Sequence, residues 1–205
     1  MLGGKAGVVH LHVGNGNRKL TPILQIVEET EIPIGQFLPT HLSRTLELLD
    51  HAIEFALRGG NIDFTVKGED LNSPLSTEQA ITQALHHGVS LSRITLSSDS
   101  NGSMPVFDKD GQMIRLGIGD ICNLYRDVQV LIQKGFPLED VLTMVTRNPA
   151  ERLGLLPWKG TLETGKDTDL LILTQDLRIE AVMAKGKFLF QNGRVHSLSP
   201  FAIDS

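Results

Sequence analysis

The 205-residue chain has the length of one domain with room for a small appendage, and 40% apolar residues suffice to bury a core. Its net charge of −5, without a basic block, argues against nucleic acid or an anionic membrane surface as a partner. No apolar run approaches the ~20 residues of a membrane span. The single cysteine, Cys122, excludes an internal disulfide and favours the reducing cytoplasm. We expect it to pack as a small apolar side chain.

Strands and helices alternate through residues 1–156. Apolar runs predict strands at residues 8–13, 34–40, 62–66 and 92–97. Helical periodicity predicts helices at residues 20–28, 45–58 and 77–87, and, after a longer loop, at about 119–134, from Pro137 onward and at 149–153. Such alternation implies parallel strands joined by right-handed crossovers. Four strands cannot close a barrel, which takes eight, so this region is half of a barrel or a small open α/β sheet.

From residue 157 the pattern changes to short strands and tight turns. Strands are predicted at residues 169–173, 179–184, 187–191 and 193–196. Lys185-Gly186 and Asn192-Gly193 are typical of hairpin turns between them. We therefore predict two units, a β/α unit over residues 1–156 and a small antiparallel β unit over residues 157–205.

Metal-ligand residue types stand at the ends of three predicted strands. His12 ends the first strand, His41 follows the second, and Asp99 follows the fourth. The carboxyl ends of barrel strands carry the active site, and imidazole with carboxylate is a ligand set for a hydrolytic metal. Asp99 can in addition accept a proton from water. Each residue also has a structural interpretation, as a hydrogen-bonded loop histidine or as a helix N-cap or Asx-turn aspartate.

His10 leaves two interpretations open. Side chains two residues apart point to the same face of a strand, so His10 and His12 can grip one metal together. Alternatively, His10 lies one layer deeper and is hydrogen-bonded in the core, with only His12 at the rim. We favour the second interpretation.

Several segments resemble the amidohydrolase superfamily. The closing part of that superfamily, where the last barrel helix passes into a small β-sandwich, is similar to residues 146–155 (TRNPAERLGL), 160–171 (GTLETGKDTDLL) and the hairpin at 186–193. Within the superfamily, the isoaspartyl (β-aspartyl) dipeptidase family resembles this chain in three blocks, which are residues 3–14 (GGKAGVVHLHVG), 38–44 (LPTHLSR) and 95–103 (TLSSDSNGS). The resemblance runs from residue 1 to about residue 195.

This resemblance implies an α/β fold, the C-terminal half of a metal-dependent (β/α)8 TIM barrel followed by a small antiparallel β-sandwich segment. It divides the chain into the last four β/α units at residues 1–156 and the sandwich segment at residues 157–205. It also implies a cytoplasmic, zinc-dependent dipeptidase that hydrolyses β-aspartyl peptide bonds and assembles as a homo-oligomer.

The resemblance assigns site residues by position. It implies that His12 and His41 bind one of two zinc ions, and that Asp99 binds the other and acts as the general acid and base. Arg44 would hold a substrate carboxylate, and Ser103 would contact the substrate near its reacting end. The family's first His-x-His motif and its bridging carboxylated lysine precede the part represented in this sequence, so the chain is expected to carry only part of the active site.

Two departures and two alternatives accompany the resemblance. His10 stands where an apolar residue is expected. Ser100 stands where the family usually has glycine, so a left-handed backbone there would strain the loop. One alternative is another amidohydrolase, such as a dihydroorotase-like or N-acyl-amino-acid hydrolase. The other is an inactive fragment that serves as a metal-binding or interaction module.

Overall fold

The computed structural model describes residues 6–66, 75–107 and 112–196. Its strands are β1 (Val9–His12), β2 (Phe37–Thr40), β3 (Ile62–Thr65), β4 (Ile94–Ser97), β5 (Ser103–Phe107), β6 (Met113–Ile118), β7 (Leu170–Leu173), β8 (Ile179–Ala184), β9 (Lys187–Gln191) and β10 (Arg194–Val195). Its helices are α1 (Thr21–Glu29), α2 (Leu46–Leu57), α3 (Thr77–His86), α4 (Cys122–Gln133), α5 (Leu138–Val145) and α6 (Arg147–Arg152).

The predicted α/β alternation is confirmed, and the strands pair in parallel. β1 pairs with β2 so that His12 stands opposite Thr40, and β3 pairs with β4 so that Thr65 stands opposite Ser97. The hydroxyls of Thr40 and Thr65 lie 3.0 Å apart, which places the ends of β2 and β3 side by side. Among the described residues the four strands form two pairs, β1–β2 and β3–β4, and the carboxyl ends of both pairs therefore lie side by side.

Two capped helices hold these strands in place. Thr45 accepts a hydrogen bond from the Leu48 amide at the start of α2, and Ser76 forms a capping box with Gln79 at the start of α3. The inner side of α2 is buried, through Leu48, Leu49, Ala52, Ile53, Phe55 and Ala56. These apolar side chains join those of β2, β3 and β4 in one core, which fixes the strand ends relative to one another.

Two predicted strands begin later than expected. A 3₁₀ turn at Ile34–Gln36 precedes β2, and another at Leu91–Arg93 precedes β4. In each turn an amide bonds the carbonyl three residues earlier. Ile34 still packs against the core, so its apolar character extended the first of these predicted strands into the turn.

The longer loop predicted after β4 is wrong, because a β-hairpin occupies it. β5 and β6 pair antiparallel from Ser103 opposite Ile118 onward. The sequence does carry a hairpin signal, since Asp110-Gly111 stands between two apolar runs. Pro105 obscured the signal, because proline is disfavoured within strands. The following helix, α4, is correspondingly shorter than predicted.

The predicted small sheet is present as one four-stranded antiparallel sheet among the described residues, in the order β10-β9-β8-β7. The turn residues Lys185, Gly186, Asn192 and Gly193 all have positive φ, as predicted hairpin turns of this type require. The sheet is anchored to α4, where Tyr125 and Gln129 donate hydrogen bonds to the Leu177 carbonyl at 2.6 and 3.0 Å. The domain boundary at residue 157 stays a prediction.

Cys122 does not pack as expected. It is the first residue of α4, and its side chain is exposed. Its amide donates a hydrogen bond to the Asp120 carboxylate at the start of the helix, so its place is set by the helix terminus and not by a core contact.

Candidate metal centre

The structure brings together His12, His41 and Asp99. His12 ends β1, His41 follows β2 directly, and Asp99 lies two residues beyond β4. His12 Nδ1 and His41 Nε2 are 2.8 Å apart, and His41 Nε2 lies 3.7 Å from Asp99 Oδ2. One ligand atom from each residue falls within 4.8 Å of the other two. The convergence follows from the parallel register, which aligns the strand ends.

The backbone at two of these residues is left-handed. His41 has a φ of 66° and Asp99 has a φ of 48°. Residues other than glycine adopt this region at a cost, and they are found mainly in turns and at functional sites. The strain anticipated at Ser100 does not occur, because the positive φ angles in this loop belong to Asp99 and Asn101 instead.

The base of the β5–β6 hairpin holds the Asp99 loop. The amide of Gly102 donates a hydrogen bond to the Asp99 carbonyl at 2.9 Å. The amide of Asn101 donates to the Gly119 carbonyl, and the amide of Gly119 donates to the Gly102 carbonyl, each at 3.0 Å. A Cβ on Gly119 would stand 2.2 Å from the Asp99 carbonyl oxygen, and one on Gly102 would stand 2.7 Å from its carboxylate. Both glycines therefore permit the close approach that fixes Asp99.

His41 is held neutral by its surroundings. It is only 6% exposed, and its Nδ1 lies 2.7 Å from the Thr65 hydroxyl. Burial, followed by the charge of Arg44, lowers the pKa of His41 to about 4, whereas Asp99 acts in the opposite direction. A neutral imidazole keeps the lone pair that a metal ligand needs.

The donor set fits zinc. Two imidazole nitrogens and one carboxylate oxygen are typical zinc ligands. Tetrahedral zinc with bonds of about 2.0–2.1 Å holds neighbouring ligand atoms roughly 3.3 Å apart. The distance of 2.8 Å between the His12 and His41 nitrogens must therefore open by about half an ångström, and the exposed His12 ring has room to move.

Arg44 and Ser103 occupy different surroundings. Arg44 is half-buried, donates from Nη1 to the Val13 carbonyl at 3.0 Å, and interacts electrostatically with Asp99 and His41. Ser103 begins β5, and its side chain is exposed. Arg44 is thus beside the three-residue cluster, whereas the structure shows no contact of Ser103 with it.

His10 is not buried, contrary to the interpretation favoured from the sequence. Its side chain is exposed, and its ring centroid lies 5.4 Å from that of His12. It contributes no ligand atom to the cluster found among the described residues. The face of β1 that carries His10 is open, so the strand position does not bury the side chain.

A buried acid near the cluster escaped the sequence analysis. Asp63, in β3, is 3% exposed and accepts hydrogen bonds from Thr40, Thr95 and Ser97. Burial raises the pKa of Asp63, and the hydrogen bonds from these hydroxyls oppose the rise. The available signal was an aspartate between two apolar residues, Ile62 and Phe64, of a predicted strand, since buried carboxylates require partners.

Comparison with known proteins identifies the family. Residues 39–189 match the model of the amidohydrolase family. The chain belongs to the amidohydrolase family. Members are usually metal-dependent hydrolases, which agrees with the donor set at the strand ends.

The resemblance to β-aspartyl dipeptidases is confirmed by solved structures. The β-aspartyl dipeptidase of Fervidobacterium islandicum AW-1 in complex with β-Asp-Leu is 38% identical, with a TM-score of 0.87 over 98% of this chain and 52% of that chain. A second structure of the dipeptidase from this organism is 35% identical, with a TM-score of 0.81 over 96% of this chain and 49% of that chain. The amidohydrolase chain therefore spans about half the length of these dipeptidases.

Another relative carries the name of a different enzyme from the β-aspartyl dipeptidases. The L-hydantoinase of Paenarthrobacter aurescens is 33% identical over 115 residues, which are 52% of this chain and 23% of that protein.

In the part of the chain that the structure describes, no helix combines the length and apolar character needed to span a bilayer.

Proposed function

We propose that this amidohydrolase supplies part of the active site of a zinc-dependent β-aspartyl dipeptidase. The convergence of His12, His41 and Asp99 beside the carboxyl ends of the strands carries the proposal. It is supported by 38% identity to a dipeptidase whose structure contains β-Asp-Leu. A site with imidazole and carboxylate donors beside a cationic Arg44 suits an anionic amide substrate.

The roles of the residues follow from their chemistry. When bound, zinc lowers the pKa of water to about 7 and polarises the scissile carbonyl. His12 and His41 would hold the ion through their ring nitrogens. Asp99 accepts a proton as water adds to the carbonyl carbon, and it returns that proton to the amine as the C–N bond breaks. One water is consumed, and a free aspartate and a second amino acid leave.

Arg44 and Ser103 are proposed to orient the dipeptide. A guanidinium can grip a carboxylate with two parallel hydrogen bonds. Arg44 is already placed by its bond to the Val13 carbonyl, next to Asp99. Ser103 offers a hydroxyl at the start of β5, from which we propose that it contacts the substrate near the reacting amide.

We further propose how this chain relates to the whole site. Residues 1–156 form the last four β/α units of a barrel, and residues 157–205 form a β-sandwich segment. The second set of zinc ligands, a His-x-His motif and a carboxylated lysine, comes from a complementing N-terminal segment. The complete protein is a cytoplasmic homo-oligomer.

The test is complementation. The chain is fused to the part of the Fervidobacterium dipeptidase outside the matched 52%, and the fusion is loaded with zinc. We expect hydrolysis of β-Asp-Leu, no hydrolysis of α-Asp-Leu, and no activity in a matched fusion carrying Asp99→Asn. A folded, zinc-loaded fusion that leaves β-Asp-Leu intact would refute the proposal.

A second candidate function is hydrolysis of a cyclic amide, which the similarity to L-hydantoinase favours. The same fusion distinguishes the two when it is assayed on a hydantoin and on an N-acyl amino acid. Turnover of either, with β-Asp-Leu untouched, would assign the chain to another amidohydrolase branch.

A further inference from the structure

Asp63 is a buried acid for which the proposed mechanism has no use. It lies in β3, and its carboxylate receives three hydroxyl groups from neighbouring strands. Thr40 and Ser97 lie 2.5 and 2.6 Å from Oδ2, and Thr95 lies 2.7 Å from Oδ1. Burying a carboxylate is costly, so three hydroxyls arranged around it indicate a specific task.

The proton of the Thr40 hydroxyl is committed to Asp63. A hydroxyl has one proton to donate and two lone pairs to accept with, and a carboxylate only accepts. Thr40 therefore donates to Asp63 Oδ2 at 2.5 Å. Its other hydroxyl contact, with Thr65 Oγ1 at 3.0 Å, must then be one in which Thr40 accepts and Thr65 donates.

The same count fixes the proton on His41. Thr65 Oγ1 lies 2.7 Å from His41 Nδ1, and the Thr65 proton is already used on Thr40. His41 Nδ1 must therefore carry a proton and donate it to Thr65. A neutral imidazole has one N–H, so His41 Nε2 keeps a lone pair, and this is the atom that faces His12 Nδ1 and Asp99 Oδ2.

We infer that Asp63 is a positioning residue that, through Thr40 and Thr65, holds His41 in the tautomer with its proton on Nδ1. Nε2 is thereby presented to the cluster. The tautomer is a property of the metal-free chain, and its consequence for zinc binding rests on the proposed function. Histidines that bind a metal commonly have their second ring nitrogen held by a hydrogen bond. In this chain Thr65 forms that hydrogen bond, and Asp63 determines its direction through Thr40.

The relay keeps its direction if Asp63 takes up a proton. Oδ2 already receives two hydroxyl donors and Oδ1 only one, so the proton belongs on Oδ1. Thr95 would then accept from Oδ1 and turn its own proton to the Ile62 carbonyl, which lies 3.4 Å away. Thr40 still donates to Oδ2. The reverse relay would need a proton on Oδ2, where it would displace a donor.

The experiment reads the tautomer directly in the chain stripped of metal. Long-range ¹H–¹⁵N correlation spectra at neutral pH distinguish a protonated from an unprotonated ring nitrogen. We expect a protonated Nδ1 and an unprotonated Nε2 for His41. A proton on Nε2 in the unmodified chain would overturn the inference, whatever the chain does with zinc.

Two matched variants test whether the hydrogen bonds that begin at Asp63 determine the tautomer of His41. Thr40→Val cuts the relay, and Thr95→Val removes a hydroxyl from the same carboxylate outside the relay. Both replace a buried threonine of a strand, so both carry a similar packing cost. We expect mixed tautomers at His41 in Thr40→Val and the unmodified spectrum in Thr95→Val. Identical His41 spectra in the two variants would overturn the inference.

A third variant and a second readout complete the test. Asp63→Ala should also give mixed tautomers, and where it does not fold, Thr40→Val carries the result. Zinc affinity, measured against a competing chelator, should fall about 10–100-fold in Thr40→Val relative to Thr95→Val, as for outer partners of metal ligands. The expected tautomer without any zinc binding would refute the proposed function and leave this inference standing.

Discussion

His41 and Asp99, two members of the candidate site, both have left-handed backbone within two residues of a strand end. A histidine and an aspartate tolerate this conformation better than most residues, and at both positions it turns the side chain toward a common point. The left-handed conformation costs a free energy of order 1–3 kcal/mol at each residue. The packing of the strands that precede His41 and Asp99 offsets this cost.

Asp99 provides the negative charge of the cluster. Asn at this position keeps the shape and tolerates a positive φ but removes the charge, so we expect Asp99→Asn to fold with an unchanged melting temperature. Its zinc affinity should fall by more than the roughly 10–100-fold that outer-shell partners cost. Titration against a chelator measures this. Asp120→Asn, at an exposed aspartate, is the control, and equal affinities in the two variants would contradict the assignment.

The lowered pKa of His41 predicts a loss of stability in acid. The pKa is about 4 in the folded, metal-free chain and 6.5 for an unperturbed histidine. Between these values the unfolded chain takes up a proton that the folded chain does not, so the free energy of unfolding decreases as pH falls from 6.5 toward 4. The decrease should be on the order of 2–3 kcal/mol over the whole interval.

Urea denaturation at several pH values in the presence of a chelator checks this. His41→Gln cannot take up the proton and should lose less stability over the same interval, whereas His86→Gln, at an exposed histidine, should follow the unmodified chain. Equal pH dependence in His41→Gln and the unmodified chain would contradict the assigned cause.

For single residues, the sequence predicted where a side chain lies better than which side chains it contacts. His12, His41 and Asp99 were predictable because strand ends can be read from apolar runs, and parallel strands end at one edge. The role of Asp63 was not predictable, because it depends on hydroxyl contacts made in the fold. Thr40 lies on a different strand, and Thr65 lies two residues further along the strand of Asp63. An aspartate between the apolar Ile62 and Phe64 was the signal that the sequence offered.

The β5–β6 hairpin acts on the site through its base. A methyl group on Gly119 would collide with the Asp99 carbonyl, so Gly119→Ala must shift the loop that carries the carboxylate. We expect a loss of about 1–3 kcal/mol in the free energy of unfolding and at least tenfold weaker zinc binding. Gly16→Ala, where a Cβ would meet open space, is the control for denaturation and zinc titration. Unchanged zinc binding in Gly119→Ala would show that the hairpin does not place Asp99.

α4 connects the β/α unit to the small sheet. Tyr125→Phe removes one of two side-chain donors to the Leu177 carbonyl, and we expect a cost of about 0.5–1.5 kcal/mol. Hydrogen exchange should increase at the turn between β7 and β8. The double variant Tyr125→Phe/Gln129→Ala should cost more, because the carbonyl then loses both partners. Equal exchange in all three proteins would contradict the anchoring role.

Elements were predictable where local chemistry decides them. Lys185-Gly186 and Asn192-Gly193 impose positive φ, and both turns were predicted correctly. The 3₁₀ turn at Ile34–Gln36 was missed because an apolar residue in a turn and one in a strand look alike in sequence. Whether an apolar residue begins a strand there depends on packing against the core.

The whole molecule matches about half of the dipeptidase that it resembles. Three candidate ligands converge within it, whereas the proposed binuclear site needs more. We therefore expect the 205-residue chain alone, supplied with zinc, to show no turnover of β-Asp-Leu. A coupled amino-acid assay measures this, with the complemented fusion as positive control. Turnover by the chain alone that disappears in Asp99→Asn would contradict the expectation.

The most direct test is anomalous diffraction at the zinc edge from crystals of the chain grown with zinc. The predicted result is a peak within bonding distance, about 2.0–2.1 Å, of the ring nitrogens of His12 and His41, on the side that faces Asp99. A peak at another place on the molecule, or none at a zinc concentration that saturates binding in solution, would contradict the site.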